Sequence, residues 1–126
     1  MQPLHIEKSK STPSVDFDAQ TGVLAIGGDS YPEDSHQFFD PLLRWVGEFL
    51  SETTTEVTFR VDLTYMNTSS TKYMIDMLDQ LEAAHGAGRR ITVEWFYDED
   101  NDREIDTIEE LKEDFDMPFS LVAREW

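Results

Sequence analysis

Cysteine is absent from this chain, which excludes disulfide frameworks, zinc fingers of the usual kind and thiol catalysis. Basic residues are scarce: 10 Lys and Arg stand against 27 Asp and Glu, a formal net charge of −17. A surface of that sign repels phosphate backbones and anionic headgroups, so neither nucleic acid nor a membrane surface is an expected partner. It suits a solvated exterior or a partner with a basic docking surface. Long apolar runs are missing too. No stretch reaches the roughly 18 residues a membrane span needs, and the opening "MQPLHIEKSK" has no apolar segment of the signal-peptide kind. The expected location is the cytoplasm.

What is present is enough for one core. The chain has 126 residues, 39% of them hydrophobic and 12% aromatic, which fits a single domain over residues 1–126. Neither repeats nor low-complexity tracts interrupt it. Residues 14–18 "SVDFD" and 21–28 "TGVLAIGG" flank a turn-like "AQTG" and read as a hairpin. From about Ser35, Phe38, Phe39, Leu42, Leu43, Val46, Phe49 and Leu50 recur at helical spacing, with Asp34 or Ser35 as N-cap. Pro41 either lies inside that helix or marks its first residue after an Asp40 cap. Residues 56–65 "EVTFRVDLTY" alternate, with Val57, Phe59, Val61, Leu63 and Tyr65 on one face. A second helix carries Met74, Met77, Leu78, Leu81 and Ala84 on one stripe and ends near Gly86. Ile91, Val93, Trp95 and Tyr97 alternate in the next strand. Ile105, Ile108, Leu111 and Phe115 mark a third helix, and residues 119–125 "FSLVARE" read as a closing strand.

The order is then ββαβαβαβ, and strands separated by helices imply right-handed crossovers with mostly parallel pairing. Strands buried on both faces would read as continuous Val, Ile and Leu, whereas these carry Thr, Arg, Asp and Glu on one side. The expected fold is an α/β two-layer sandwich, a mixed and mostly parallel sheet with helices on one face only.

Three patterns bear on chemistry. In "DEDNDREIDTIE", residues 98–109, Asp98, Asp100, Asp102 and Glu109 stand at positions 1, 3, 5 and 12 of a calcium loop. Arg103 occupies the sixth position, where glycine permits the turn, and a strand precedes the loop where a helix is required. The plainer reading is an acidic loop capping the third helix, whose positive N-terminal end favours Asp102, Glu104 and Asp106. His5, His36 and His85 are far apart and fall in no hydrolase, P-loop or metal-binding motif. "GGDS" at residues 27–30 lacks the lysine of a phosphate loop and reads as a strand exit.

The third pattern is "MNTSSTK", residues 66–72, four consecutive hydroxyls between a strand's carboxyl end and a helix N-terminus. That edge is where functional loops collect in open α/β sheets. Capping by Ser69 or Ser70 explains one hydroxyl and leaves three. A phosphate on Thr68 would place roughly −1.5 to −2 charges beside free N–H groups and a positive helix end, with Lys72 four residues on as a partner.

On "LHIEKSKSTPSVDFD", "GDSYPEDS", "LTYMNTSSTKYMIDMLDQLEAAH", "GRRITVEWFYDEDN" and "EDFDMPFSL", the chain resembles the SiaC family of bacterial biofilm-regulating phosphoproteins over nearly its whole length. The family's "LNTSS" motif appears as "MNTSS", with Met66 for leucine, and Thr71 adds a hydroxyl where an aliphatic residue is common. The resemblance implies a fold similar to anti-sigma-factor antagonist (STAS-like) domains and a partner-switching role without catalysis or cofactor. By motif, Thr68 is phosphorylated by a Ser/Thr kinase and restored by a PP2C-type phosphatase, and the unmodified protein binds and promotes a GGDEF diguanylate cyclase. Asn67, Ser69, Ser70, Thr71 and Lys72 form the switch loop, and Asp29, Ser30, Tyr31 and Pro32 a partner-contact surface. The alternatives are an anti-anti-sigma protein that binds an anti-sigma kinase, or an acidic calcium-binding module.

Overall fold

A computed structural model describes residues 1–124. The elements are β1 (Leu4–Ile6), β2 (Ser14–Phe17), β3 (Val23–Ser30), α1 (Ser35–Glu52), β4 (Val57–Met66), α2 (Thr68–Gly86), β5 (Ile91–Tyr97), α3 (Asp102–Lys112) and β6 (Phe119–Ala123). Among the described residues they make one six-stranded sheet in chain order. β1, β2 and β3 pair antiparallel, and β3 through β6 pair parallel. The chain therefore adds one strand, β1, ahead of the hairpin read from the sequence. Three residues are too few to show a period. Of residues 119–125, Glu125 lies outside the described residues.

Alternation builds the layers. Val57, Phe59, Val61 and Leu63 of β4 and Ile91, Val93 and Trp95 of β5 are buried, while Arg60 and Thr64 on the opposite face are exposed. Helix stripes complete the core, with Phe39, Leu42, Val46 and Phe49 from α1 and Met74, Met77, Leu78 and Leu81 from α2. Each such side chain contributes about 1.5–3 kcal/mol through removal from water. Trp45 joins them, stacked on Phe49 and donating its indole N–H to the Gln2 carbonyl at 2.9 Å. The bare face carries ion pairs instead, Arg60 to Glu94 at 2.9 Å and Arg124 to Asp62 at 2.7 Å.

Helix ends follow from local chemistry. Asp34 caps α1 by accepting from the Gln37 amide. Pro41 lies inside α1, so the Asp40-capped alternative is not adopted, and the Gln37 carbonyl loses its helical donor. The exit of α1 is clamped from the next crossover: Arg89 donates to the carbonyls of Leu50, Thr53 and Thr55 and to the Thr53 hydroxyl, and lies over the Phe49 ring. Partial burial pushes its guanidinium below the ordinary value. Gly22 turns β2 into β3 at φ 76°, where a Cβ would meet the Glu56 carbonyl oxygen at 1.9 Å.

β4 does not keep its alternation to the end. Gly28 pairs with Leu63 but Asp29 pairs with Tyr65, so Thr64 is an extra residue, a β-bulge. A one-residue slip reverses which face the following side chain takes. Tyr65, expected beside Leu63 on the buried face, is instead 54% exposed.

Candidate functional site

Parallel pairing of β3 and β4 brings their carboxyl ends together, so "GDSYP" and "MNTSS", far apart in sequence, form one surface at that edge of the sheet. The Asn67 amide donates to the Ser30 carbonyl at 2.9 Å. Asn67 is also the N-cap of α2: its Oδ1 accepts from the Ser70 amide at 2.9 Å. The sequence reading gave that task to Ser69 or Ser70, and the structure corrects it. Both serines are committed elsewhere.

Each hydroxyl has a distinct environment. Ser70 is fully buried; its hydroxyl donates to the Ser30 carbonyl at 3.1 Å and accepts from the Ser30 hydroxyl at 2.8 Å. Ser69 is exposed, yet it donates to Asn67 Oδ1 at 3.2 Å and shares a 2.6 Å hydrogen bond with Ser35, the first residue of α1. Thr71 turns back to the Asn67 carbonyl at 3.1 Å, the i−4 bond open to a hydroxyl inside a helix. Thr68 is exposed at the first position of α2 and makes no side-chain hydrogen bond among the described residues. Lys72, one turn on, is exposed and lines a shallow groove with Thr68, Thr71, Ile75 and Asp76.

The electrostatics of this helix start differ from the other two. α1 has the acidic cap Asp34, and α3 carries Asp102 and Glu104 in its first turn. α2 has a neutral cap and no acid in its first turn. Its positive end and the amides of Thr68 and Ser69, the first of the N–H groups that have no carbonyl behind them in a helix, are open to an anion.

The adjoining contact residues divide. Ser30 and Pro32 are buried within the chain. Asp29 is half-buried and accepts from the Thr64 hydroxyl at 2.6 Å. Tyr31 is 38% exposed and meets the bulge-turned Tyr65 edge to face, with ring centroids 5.9 Å apart. Sequence reasoning missed Tyr65, because only the register across β3 and β4 reveals the bulge.

The acidic loop is organised around α3. Asp98 accepts from the Asp100 amide at 3.0 Å, and Asn101 caps the helix, accepting from the Glu104 amide at 3.0 Å. α3 begins at Asp102, the fifth position of the would-be calcium loop, and Glu109 lies two turns along it. Positions 5–12 of that loop pattern, residues 102–109, are therefore helical and cannot wrap an ion. Among the described residues no group of three or more His, Asp or Glu side chains is set out as metal ligands. His36 is within 3.5 Å of the Tyr73 hydroxyl and His5 pairs with Asp16 across β1 and β2. Among the described residues no serine or threonine hydroxyl hydrogen-bonds to a histidine, and no helix is long and apolar enough to cross a membrane.

The exposed threonine at this helix start, with no acid in the first turn, is a place where the fold can accommodate a phosphate. The family model for SiaC family regulatory phosphoproteins matches residues 6–124, and the chain belongs to that family. It is 42% identical over 125 residues to an uncharacterized protein of Pseudomonas aeruginosa strain UCBPP-PA14, covering 99% of both chains. The crystal structure of apo-SiaC from Pseudomonas aeruginosa superposes with a TM-score of 0.90 at 40% identity, covering 98% of this chain and 100% of that one. SiaC in the crystal structure of the diguanylate cyclase SiaD with its activator SiaC, from the same organism, gives 0.93 at 42% identity over 96% of this chain and 99% of that one.

Proposed function

We propose that this protein is a non-enzymatic partner-switching regulator, a single cytoplasmic domain that is reversibly phosphorylated on Thr68. A Ser/Thr kinase adds the phosphate and a PP2C-type phosphatase removes it. In the unmodified state the protein binds and promotes a GGDEF diguanylate cyclase, and so controls cyclic di-GMP and biofilm formation. The observation that carries the reading is the state of the four hydroxyls: Ser70 is buried, Ser69 and Thr71 are hydrogen-bonded, and Thr68 is exposed and unengaged. The family, and the role of Pseudomonas aeruginosa SiaC as activator of SiaD, support the partner.

Physical chemistry gives the switch its direction. A phosphothreonine at the first position of α2 meets free amides, the positive helix end and Lys72, so the fold accommodates it. A partner packed over the same residue must strip water from a dianion, at a cost of several kcal/mol unless cations compensate. The contact surface combines Thr68 with the exposed pair Tyr31 and Tyr65, two rigid aromatic side chains of the kind that anchor interfaces.

A pull-down with the cyclase tests this. Thr68→Ala is expected to retain binding and Thr68→Glu to lose most of it; equal binding by the two would sink the reading. Phosphosite mapping on the native protein should find Thr68. Modification of Ser70 or Thr71 with Thr68 untouched would move the switch to another hydroxyl.

A further inference from the structure

Thr68 and Ser69 are adjacent, both exposed and both capable of accepting a phosphoryl group, yet the loop treats them differently. We infer that Ser35, a residue of α1 outside the "MNTSS" segment, is a specificity-determining residue that restricts phosphorylation to Thr68 by withholding Ser69; the inference rests on the switch reading above.

Phosphoryl transfer needs two things from a hydroxyl. An oxygen lone pair forms the new bond to the γ-phosphorus of a nucleoside triphosphate as the bridging P–O bond breaks and its electrons leave with the diphosphate. The hydroxyl proton passes to the kinase's catalytic carboxylate. At Ser69 the hydroxyl is held from two sides. Its proton is given to Asn67 Oδ1 at 3.2 Å, and one of its two lone pairs accepts from the Ser35 hydroxyl at 2.6 Å. With the Ser35 bond reversed, Ser69 spends its proton on Ser35 instead. In either direction the Ser35 bond fixes the orientation of the Ser69 hydroxyl, so its remaining lone pair and its proton line up with the nucleotide and the kinase base only once that bond breaks. Each bond to be broken lowers the population free to react by up to about tenfold. The Thr68 hydroxyl makes no such bond among the described residues, so its lone pairs and proton are available.

Ser35 is the informative position, because the other partner of Ser69 cannot be removed cleanly. Asn67 caps α2, and its loss would disturb the whole loop. Ser35 is the first residue of α1, whose cap is Asp34, so alanine there keeps a good helix former and leaves the cap in place. The bond also joins the starts of the two helices, which makes the choice of hydroxyl a property of the folded chain. A peptide carrying only residues 66–72 lacks the restriction.

The test is quantitative phosphosite mapping of the full chain, produced in its native host as wild type, Ser35→Ala, Ser35→Thr, Thr68→Ala and the Thr68→Ala/Ser35→Ala double variant. Wild type should carry phosphate on Thr68 with little on Ser69. Ser35→Ala should raise Ser69 occupancy at least about fivefold, with an unchanged melting temperature, and Ser35→Thr should restore the wild-type pattern. Thr68→Ala should be almost unmodified, and the double variant should regain phosphate on Ser69. Unchanged Ser69 occupancy in Ser35→Ala, or Ser69 fully modified in Thr68→Ala alone, would overturn the inference while leaving Thr68 as the switch. A wild-type chain with no phosphate on Thr68 would overturn both.

Discussion

Removing the Asn67 side chain strips α2 of the oxygen that caps the Ser70 amide, and Asn67→Ala should lower stability by roughly 1 kcal/mol in urea unfolding. The neighbouring hydroxyls should separate by environment. Ser70→Ala leaves the buried Ser30 hydroxyl without its acceptor and should cost about 1–3 kcal/mol, whereas Thr68→Ala removes an exposed, unengaged group and should stay within about 0.5 kcal/mol of wild type. If the two substitutions cost the same, the assignment of Ser70 to structure and Thr68 to signalling is wrong. Tyr31→Ala and Tyr65→Ala should likewise leave the fold intact yet weaken cyclase binding by about tenfold or more, as truncated aromatic anchors do; titration calorimetry would read the loss. At this scale the sequence was legible in type and not in partner. It put the helix cap within residues 66–72, but Asn, Ser and Thr are near-equal caps. The fact that decides among them, the Ser30–Ser70 contact, spans 40 residues.

The elements themselves carry two separable fastenings. β1 is a short edge strand whose His5 is bonded to Asp16 of β2. The hydrogen bond to Asp16, and then its charge, raise His5 above its ordinary 6.5, against a smaller opposing desolvation. A raised folded value means that this fastening is fully present below pH 6.5 and is lost as pH rises through the folded value. Hydrogen-exchange protection of Leu4–Ile6 should fall over that window in wild type and show no such step in Asp16→Asn. At the far end of the molecule, Arg89→Met removes the donors to three carbonyls at the exit of α1 and should cost about 2 kcal/mol by denaturant unfolding. The helices and the strands β4 and β5 were readable because their apolar periods of 3.6 and 2 are strong, although α3 ends at Lys112 and Phe115, read as part of it, lies beyond the helix. The bulge at Thr64 was not, because an alternating sequence reads the same whether or not the partner strand stays in register. Tyr65 changed faces for that reason.

Across the whole molecule, a charge of −17 on 126 residues is a standing self-repulsion. Raising salt to about 0.1 M, where the Debye length is about 10 Å, should raise the melting temperature; a fall would mean that attractive pairs such as Arg124 with Asp62 outweigh it. The two-layer architecture was legible at this scale from polar residues on one face of each strand, which left helices only one side to cover. The central claim is that one phosphate on Thr68 decides whether the protein holds its partner. The most direct measurement is calorimetric titration of the cyclase with the chain in two preparations, one stoichiometrically phosphorylated on Thr68 and one treated with phosphatase. The phosphatase-treated protein should bind, and the phosphorylated protein should bind at least about tenfold more weakly, a difference of about 1.4 kcal/mol. Equal affinities in the two preparations would contradict the account.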